Sequence, residues 1–181
     1  MRVAFKITRR LVAGVQADLR RPHAFAAERV GWLRCRVADS PAGSLLVLAH
    51  DYFPVEDSDY VEDWSVGARM GSAAIRKALQ LAYDTKTALF HVHLHDHRGR
   101  TWLSPVDSRE AAKFVPDFWH VRPEMPHGTL VLSRDSAAGR CWLPGGQVVE
   151  IGEIIIVGAP VVRILEEHGE PPRTPELPRR T

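Results

Sequence analysis

Residues 88–107 read ALFHVHLHDHRGRTWLSPVD, and this stretch is the most informative part of the chain. Apolar side chains recur at every second position through residues 85–95, which is the period of a β-strand. One face of that strand carries Ala88, Phe90, Val92 and Leu94. The other face carries Leu89 and then three histidines, His91, His93 and His95. The stretch therefore predicts a strand that packs through one face and presents a row of imidazoles on the other.

Further strands and helices are predicted on both sides of the histidine strand. Upstream, the pattern indicates a weak strand in residues 1–15 and a helix in residues 16–28 that Pro22 interrupts. Two strands in residues 31–37 and 44–52 and an amphipathic helix in residues 65–83 follow. Downstream, we predict a helix over residues 108–115 that begins at Asp107 or Ser108, a hairpin of residues 128–133 and 139–143, and one or two strands in residues 148–162. The sum is a mixed α/β domain of six to eight strands and two or three helices.

The composition is that of a globular protein. Hydrophobic residues make up 45% and charged residues 25% of the 181 residues, which excludes a fully disordered chain or a fibre. We predict one domain over residues 1–167. Residues 168–181 contain four prolines and no apolar period, so we expect a disordered tail there.

Charge and cysteine usage exclude several classes of partner. The net charge is +2 and the charges are interspersed, whereas nucleic-acid and membrane-surface binders present a one-sided basic field. The two cysteines lie far apart in the sequence, which argues against a disulfide framework or a thiolate zinc site. The first residues lack a signal-peptide pattern, and no apolar run is long enough to span a bilayer. We therefore expect a cytoplasmic protein that binds neither nucleic acid nor membrane.

Histidines two residues apart on a strand are suited to bind one metal ion. Their side chains leave the same face about 6.5–7 Å apart, and both can reach an ion at Zn–N distances of about 2.0–2.1 Å. A carboxylate follows at Asp107, in the sequence Ser104-Pro105-Val106-Asp107. Two imidazoles and one carboxylate leave a fourth position for water, which is the open coordination of a catalytic zinc.

The sequence H-x-H followed by S-x-x-D resembles the motif of the JAMM (MPN-plus) zinc metalloprotease family. The resemblance implies that His93, His95 and Asp107 bind Zn²⁺. It also implies an upstream glutamate in a pattern like E-x-x-G-x-L, which matches Glu28 to Leu33 here. In this family's chemistry Glu28 is the general base and acid, and the Ser104 hydroxyl stabilises the oxyanion. The implied fold is a single curved, mixed β-sheet flanked by helices, of the cytidine-deaminase-like MPN (JAB) type.

Two features depart from the family motif. Asp96 replaces the usual proline after the second histidine, and the step from His95 to Asp107 is twelve residues rather than the usual eleven. The pairs His91/His93 and His95/His97 are therefore alternatives, with steps of fourteen and ten residues. Rival bases are the acidic residues Glu56, Glu62 and Asp63, which lie in a predicted surface loop.

The resemblance covers about residues 20–145 and implies an activity. It is closest to the short prokaryotic members, which are associated with ubiquitin-like conjugation systems. We expect a zinc-dependent isopeptidase or peptidase that cleaves the amide after the C-terminal tail of a ubiquitin-like protein, with that protein and its conjugation enzymes as partners. The alternatives are a catalytically inactive MPN-like binding scaffold and another zinc amidohydrolase that acts on a small-molecule amide.

Overall fold

The computed structural model describes residues 1–23, 26–40 and 43–165. Within them it contains eight strands and three α-helices. The strands are β1 (Arg2–Thr8), β2 (Val30–Asp39), β3 (Ser44–Pro54), β4 (Ala88–Leu94), β5 (His127–Leu132), β6 (Ala137–Trp142), β7 (Val148–Val157) and β8 (Val162–Leu165). The helices are α1 (Arg9–Leu19), α2 (Ser72–Thr85) and α3 (Pro105–Phe114), and two 3₁₀ turns cover Asp57–Asp59 and Val115–His120.

Seven of the strands form a closed, mixed β-barrel. Their order is β1-β3-β2-β4-β5-β6-β7, and β7 pairs again with β1, which closes the ring. The pairs β1–β3, β1–β7 and β4–β5 are parallel, and the remaining pairs are antiparallel. The short strand β8 adds to β7 over Glu153–Ile156.

The predicted fold class is therefore wrong. We expected a single curved, mixed sheet flanked by helices in a cytidine-deaminase-like MPN (JAB) fold, whereas the sheet closes into a barrel with three short helices. The closing contact joins residues 3–8 to residues 151–157, which lie far apart in the sequence. Strand periodicity is a local signal and does not report such a pairing.

The barrel interior is the main core of the protein. Inward-facing side chains of almost every strand meet there, and the largest fully buried ones include Phe5, Phe90, Leu33 and Leu130. A second cluster lies outside the barrel, where α2 packs on β2 and β4 through Ala74, Ala78 and Ala82. The amphipathic period of α2 thus covers the wall of the barrel that also carries the histidines.

Several predicted boundaries differ from the structure. The first strand ends at Thr8, because the Thr8 hydroxyl caps α1 by accepting a hydrogen bond from the Leu11 N–H at 3.2 Å. Helix α1 ends at Leu19, before Pro22, and the predicted helix in residues 65–83 begins only at Ser72. Strands β2, β3 and β4 and the β5–β6 hairpin confirm the predictions within a few residues. The predicted tail lies outside the described residues.

None of the helices in the described ranges is both long and apolar enough to cross a membrane.

Candidate metal centre

Strand β4 divides its side chains between the barrel core and a cleft on its outer face. Phe90, Val92 and Leu94 belong to the barrel core, as their alternation predicts. On the other face His93 is only 3% exposed, whereas His95 at the end of the strand is half-buried. Their rings lie 5.0 Å apart between centroids. The strand thus holds two neighbouring imidazoles at the floor of a cleft of about 710 Å³.

Asp107 is brought to these two histidines by the start of α3. Its Oδ2 lies 3.4 Å from His93 Nε2 and 3.6 Å from His95 Nε2. In tetrahedral coordination at zinc–ligand distances of about 2.0–2.1 Å, ligand atoms are about 3.4 Å apart. The distances from Asp107 Oδ2 to the two imidazole nitrogens therefore suit atoms that share one zinc ion.

The helix cap holds the Asp107 carboxylate in place. Ser104 N–H donates to Asp107 Oδ2 at 2.8 Å, and Asp107 N–H donates to Ser104 Oγ at 3.1 Å, which makes a capping box. Burial alone would raise the pKa of Asp107, but the adjacent His93 and the Ser104 cap hold that pKa well below its ordinary value. Asp107 is therefore a fixed carboxylate, which is the form that binds metal.

The ring nitrogens of His93 make no hydrogen bond to the described residues. Both are buried, and Nε2 has only the ion-pair contact with Asp107 Oδ2 at 3.4 Å; the buried Nε2 of His91 likewise makes no hydrogen bond there. Burial of such atoms without partners costs free energy, so they mark a place where a further group is expected. The pKa of His95 is lowered by its own burial and by the neighbouring His93. Neutral imidazoles are the form in which histidine ligates a metal.

Glu28 reaches the same place from the segment before β2. One of its carboxylate oxygens and one ring nitrogen of each of His93 and His95 all lie within 4.8 Å of one another. Burial raises the pKa of Glu28, although the nearby His93 opposes that shift. The register of β2 against β4, which pairs Val30 with His93, explains why the two segments meet here. Two carboxylates, Glu28 and Asp107, thus flank the histidine pair.

The alternative histidines occupy other positions. His91 is 9% exposed, its Nδ1 lies 3.3 Å from Thr129 Oγ1, and burial lowers its pKa to about 3. His91 packs edge-on against Trp32 and Phe114. His97 is exposed, with its Nδ1 2.9 Å from the Arg98 carbonyl oxygen. The structure therefore groups the pair His93/His95 with Asp107 and Glu28, and leaves His91 deeper in the cleft.

Ser104 lines the cleft, but its local role differs from our prediction. We expected Asp107 or Ser108 to cap the helix, whereas the helix begins at Pro105 and Ser104 is the N-cap. The Ser104 oxygen accepts one hydrogen bond in this cap, and its own O–H proton stays available to donate.

The rival acids are mostly engaged elsewhere. Glu56 forms an ion pair with Lys77 at 2.6 Å, and the exposed Glu62 accepts a hydrogen bond from Trp64 Nε1 at 3.1 Å. Asp63 lines the cleft, but its carboxylate accepts hydrogen bonds from Ser65 and forms an ion pair with Arg69.

Sequence reasoning missed the loop of residues 61–70, which forms one wall of the cleft. The predicted helix covered most of that loop. Gly67 and Gly71 indicate in the sequence that the helix begins after them, because glycine is unfavourable inside a helix.

In the comparisons with known proteins, no family model matches the chain and no curated protein is significantly similar to it.

Proposed function

We propose that this chain is a zinc-dependent peptidase or isopeptidase of the JAMM type, which hydrolyses the amide after the C-terminal tail of a ubiquitin-like protein. The observation that carries the proposal is that Asp107 Oδ2 lies 3.4 Å from His93 Nε2 and 3.6 Å from His95 Nε2, while a Glu28 oxygen lies within 4.8 Å of a ring nitrogen of each histidine. The closed barrel gives no support to the family assignment, so the proposal rests on the site alone.

The residues divide into ligands and reacting groups. His93, His95 and Asp107 would hold the zinc ion, which would supply a Lewis acid and a water whose pKa is near 7. Glu28 accepts a proton from the attacking water and delivers it to the nitrogen of the leaving amine. Its raised pKa suits this exchange, because a general base works best when its pKa approaches the working pH. The Ser104 hydroxyl donates a hydrogen bond to the oxygen of the tetrahedral intermediate.

The proposed substrate enters as an extended chain. Terminal glycines would allow the scissile carbonyl to approach the histidines in the cleft, whereas a large side chain there would meet the cleft lining, which includes Val106 and Phe114. Trp102 and Leu103, two residues and one residue before Ser104 in the sequence, are not among the lining residues. We also propose a cytoplasmic location, which fits two buried cysteines that form no disulfide.

A second candidate is a zinc amidohydrolase that acts on a small-molecule amide. The cleft volume of about 710 Å³ favours it, since small-molecule sites commonly measure about 300–1,000 Å³.

The deciding experiment combines metal analysis with a substrate panel. We expect one zinc per chain, and cleavage of ubiquitin-like fusions with intact terminal glycines in preference to casein and to fusions that end in large residues. Glu28→Gln is expected to keep zinc and to lose about 10²–10⁴-fold in turnover. A zinc-free wild type, or a Glu28→Gln enzyme as active as wild type, would reject the proposal. Cleavage of small amides alone would select the second candidate.

A further inference from the structure

The loop before α2 is held in a defined shape by its own bonds. Tyr60 and Met70 form a β-bridge, and Val61 N–H donates to the Arg69 carbonyl oxygen at 2.9 Å. Inside the loop, Asp63 accepts a hydrogen bond from Ser65 N–H at 3.0 Å. This loop, residues 60–70, is therefore a closed unit rather than a loose connection.

The loop is also tied to the strand that follows Glu28. Tyr60 Oη accepts a hydrogen bond from Val30 N–H at 2.9 Å and donates one to the Val30 carbonyl oxygen at 3.2 Å. Seven residues further on, the Gly67 carbonyl oxygen accepts a hydrogen bond from Glu28 N–H at 2.7 Å. The loop is thus fixed against both Glu28 and the start of β2.

The Glu28 carboxylate lies against the open side of Gly67. A Cβ atom added at Gly67 would lie 2.6 Å from Glu28 Oε2 and 2.8 Å from Glu28 Cδ, and its three nearest neighbours all belong to Glu28. Real Cβ atoms essentially never come within 3.0 Å of another heavy atom in this way. With a side chain at residue 67, the Glu28 carboxylate would have to shift away from its place beside His93 and His95, and because the clashing atoms are the end of a flexible side chain, this shift is the least costly relief.

We propose that Gly67 is a positioning residue for the Glu28 carboxylate: its backbone carbonyl anchors the Glu28 amide, and its missing side chain makes room for the carboxylate at the metal centre. This inference rests on the proposed function, because it assigns Gly67 a role through the general base. The three atoms nearest to a Cβ at residue 67 all belong to Glu28 and none to the histidines or Asp107, so the effect of a side chain there passes through Glu28.

The first test is Gly67→Ala in the zinc-loaded protein. A displacement of about 1 Å in a reacting group lowers turnover by about 10²-fold, so we expect kcat to fall by about that factor with KM and zinc stoichiometry unchanged. The matched control is Gly14→Ala in α1, where an added Cβ meets no atom within 4 Å. The control is expected to retain wild-type turnover.

A binding measurement gives a readout that does not depend on turnover. Acetohydroxamate is the probe, because it has oxygen donors for a metal ion and an acidic proton that the Glu28 carboxylate would accept in a charge-assisted hydrogen bond. We expect its affinity, measured by calorimetry on zinc-loaded protein, to fall about 10-fold in Gly67→Ala, as for the loss of one hydrogen bond to a charged group. Equal affinity in wild type and Gly67→Ala would overturn the inference.

The double variant Gly67→Ala/Glu28→Gln separates this inference from the proposed function. If Gly67 acts through Glu28, the double variant is as slow as Glu28→Gln alone. An inactive Glu28→Gln enzyme beside a fully active Gly67→Ala enzyme refutes the role of Gly67 and leaves the proposed function intact. A fully active Glu28→Gln enzyme refutes the proposed function itself.

If Gly67→Ala does not fold, Asp63→Ala serves as the second variant. It removes bonds inside the loop and adds no atom beside Glu28. We expect a loss of kcat that disappears in the Glu28→Gln background, and an equal loss in both backgrounds would overturn the inference.

Discussion

Asp107 carries two roles that substitutions can separate. Its Oδ2 faces His93 Nε2 and His95 Nε2 at 3.4 and 3.6 Å, and the same oxygen accepts the Ser104 N–H at 2.8 Å at the start of α3. Asp107→Ala removes both the proposed metal ligand and the capping acceptor. Asp107→Asn removes the proposed anionic ligand but keeps an amide oxygen that can accept the Ser104 N–H.

The expected stability changes follow from these contacts. Loss of a capping acceptor costs about 1–2 kcal/mol in the free energy of unfolding. For a domain of this size that change lowers Tm by about 2–8 °C. We therefore expect zinc-free Asp107→Ala to melt lower than zinc-free wild type by this amount, and zinc-free Asp107→Asn to melt within about 2 °C of wild type, since its cap remains.

Thermal unfolding with EDTA and then with added zinc measures both roles. Zinc at about 100 times its Kd should stabilise the wild type by about 2.7 kcal/mol, and it should not shift the Tm of either variant. Metal analysis of the same samples reports the bound zinc. The reasoning is refuted if Asp107→Asn keeps wild-type zinc content, or if zinc-free Asp107→Ala is as stable as zinc-free wild type.

Three further predictions concern other parts of the molecule. His93→Ala should abolish zinc retention, whereas His97→Ala in the same run should keep it, because His97 is exposed and faces the Arg98 carbonyl oxygen; metal analysis that finds equal zinc in both variants would contradict the ligand assignment. Burial lowers the pKa of His127 from 6.5 to about 4, so the unfolded chain takes up its proton first. The contribution of this group to the free energy of unfolding is complete above pH 6.5 and falls by about 3 kcal/mol as the pH drops to 4. In urea unfolding of the zinc-free proteins, the free energy of unfolding should therefore fall about 3 kcal/mol more in wild type than in His127→Phe between pH 7 and pH 4. Gly31→Ala should destabilise the fold by about 1–3 kcal/mol, because its Cβ would overlap the Tyr52 ring, while Gly152→Ala, whose nearest contact is 3.7 Å, should change Tm little in the same melting assay.

Local patterns in the sequence determined the histidine strand and the candidate ligands. The two-residue period of β4 places His93 and His95 on one face, and this holds in whatever sheet the strand joins. Asp107 was identified from its motif, and the structure brings it to the histidines because Ser104 starts α3 and directs the carboxylate backward. The choice of His93/His95 over its alternatives was left open by the sequence, since all four imidazoles have similar spacing. In the structure, the burial of each histidine and its distance from Asp107 distinguish the pair His93/His95 from the alternative pairs.

The tertiary structure alone decided the closure of the barrel and the surroundings of Glu28. Pairing of β1 with β7 joins the two ends of the described chain, and no short-range pattern encodes it. The position of Glu28 depends on the register of β2 against β4. The position of Gly67 depends on the loop before α2, whose backbone forms hydrogen bonds within the loop and to Glu28 instead of adopting the predicted helix. Periodicity reports which face a side chain takes, because that depends on its own backbone. It cannot report which distant backbone lies opposite, because that depends on the packing of the whole barrel.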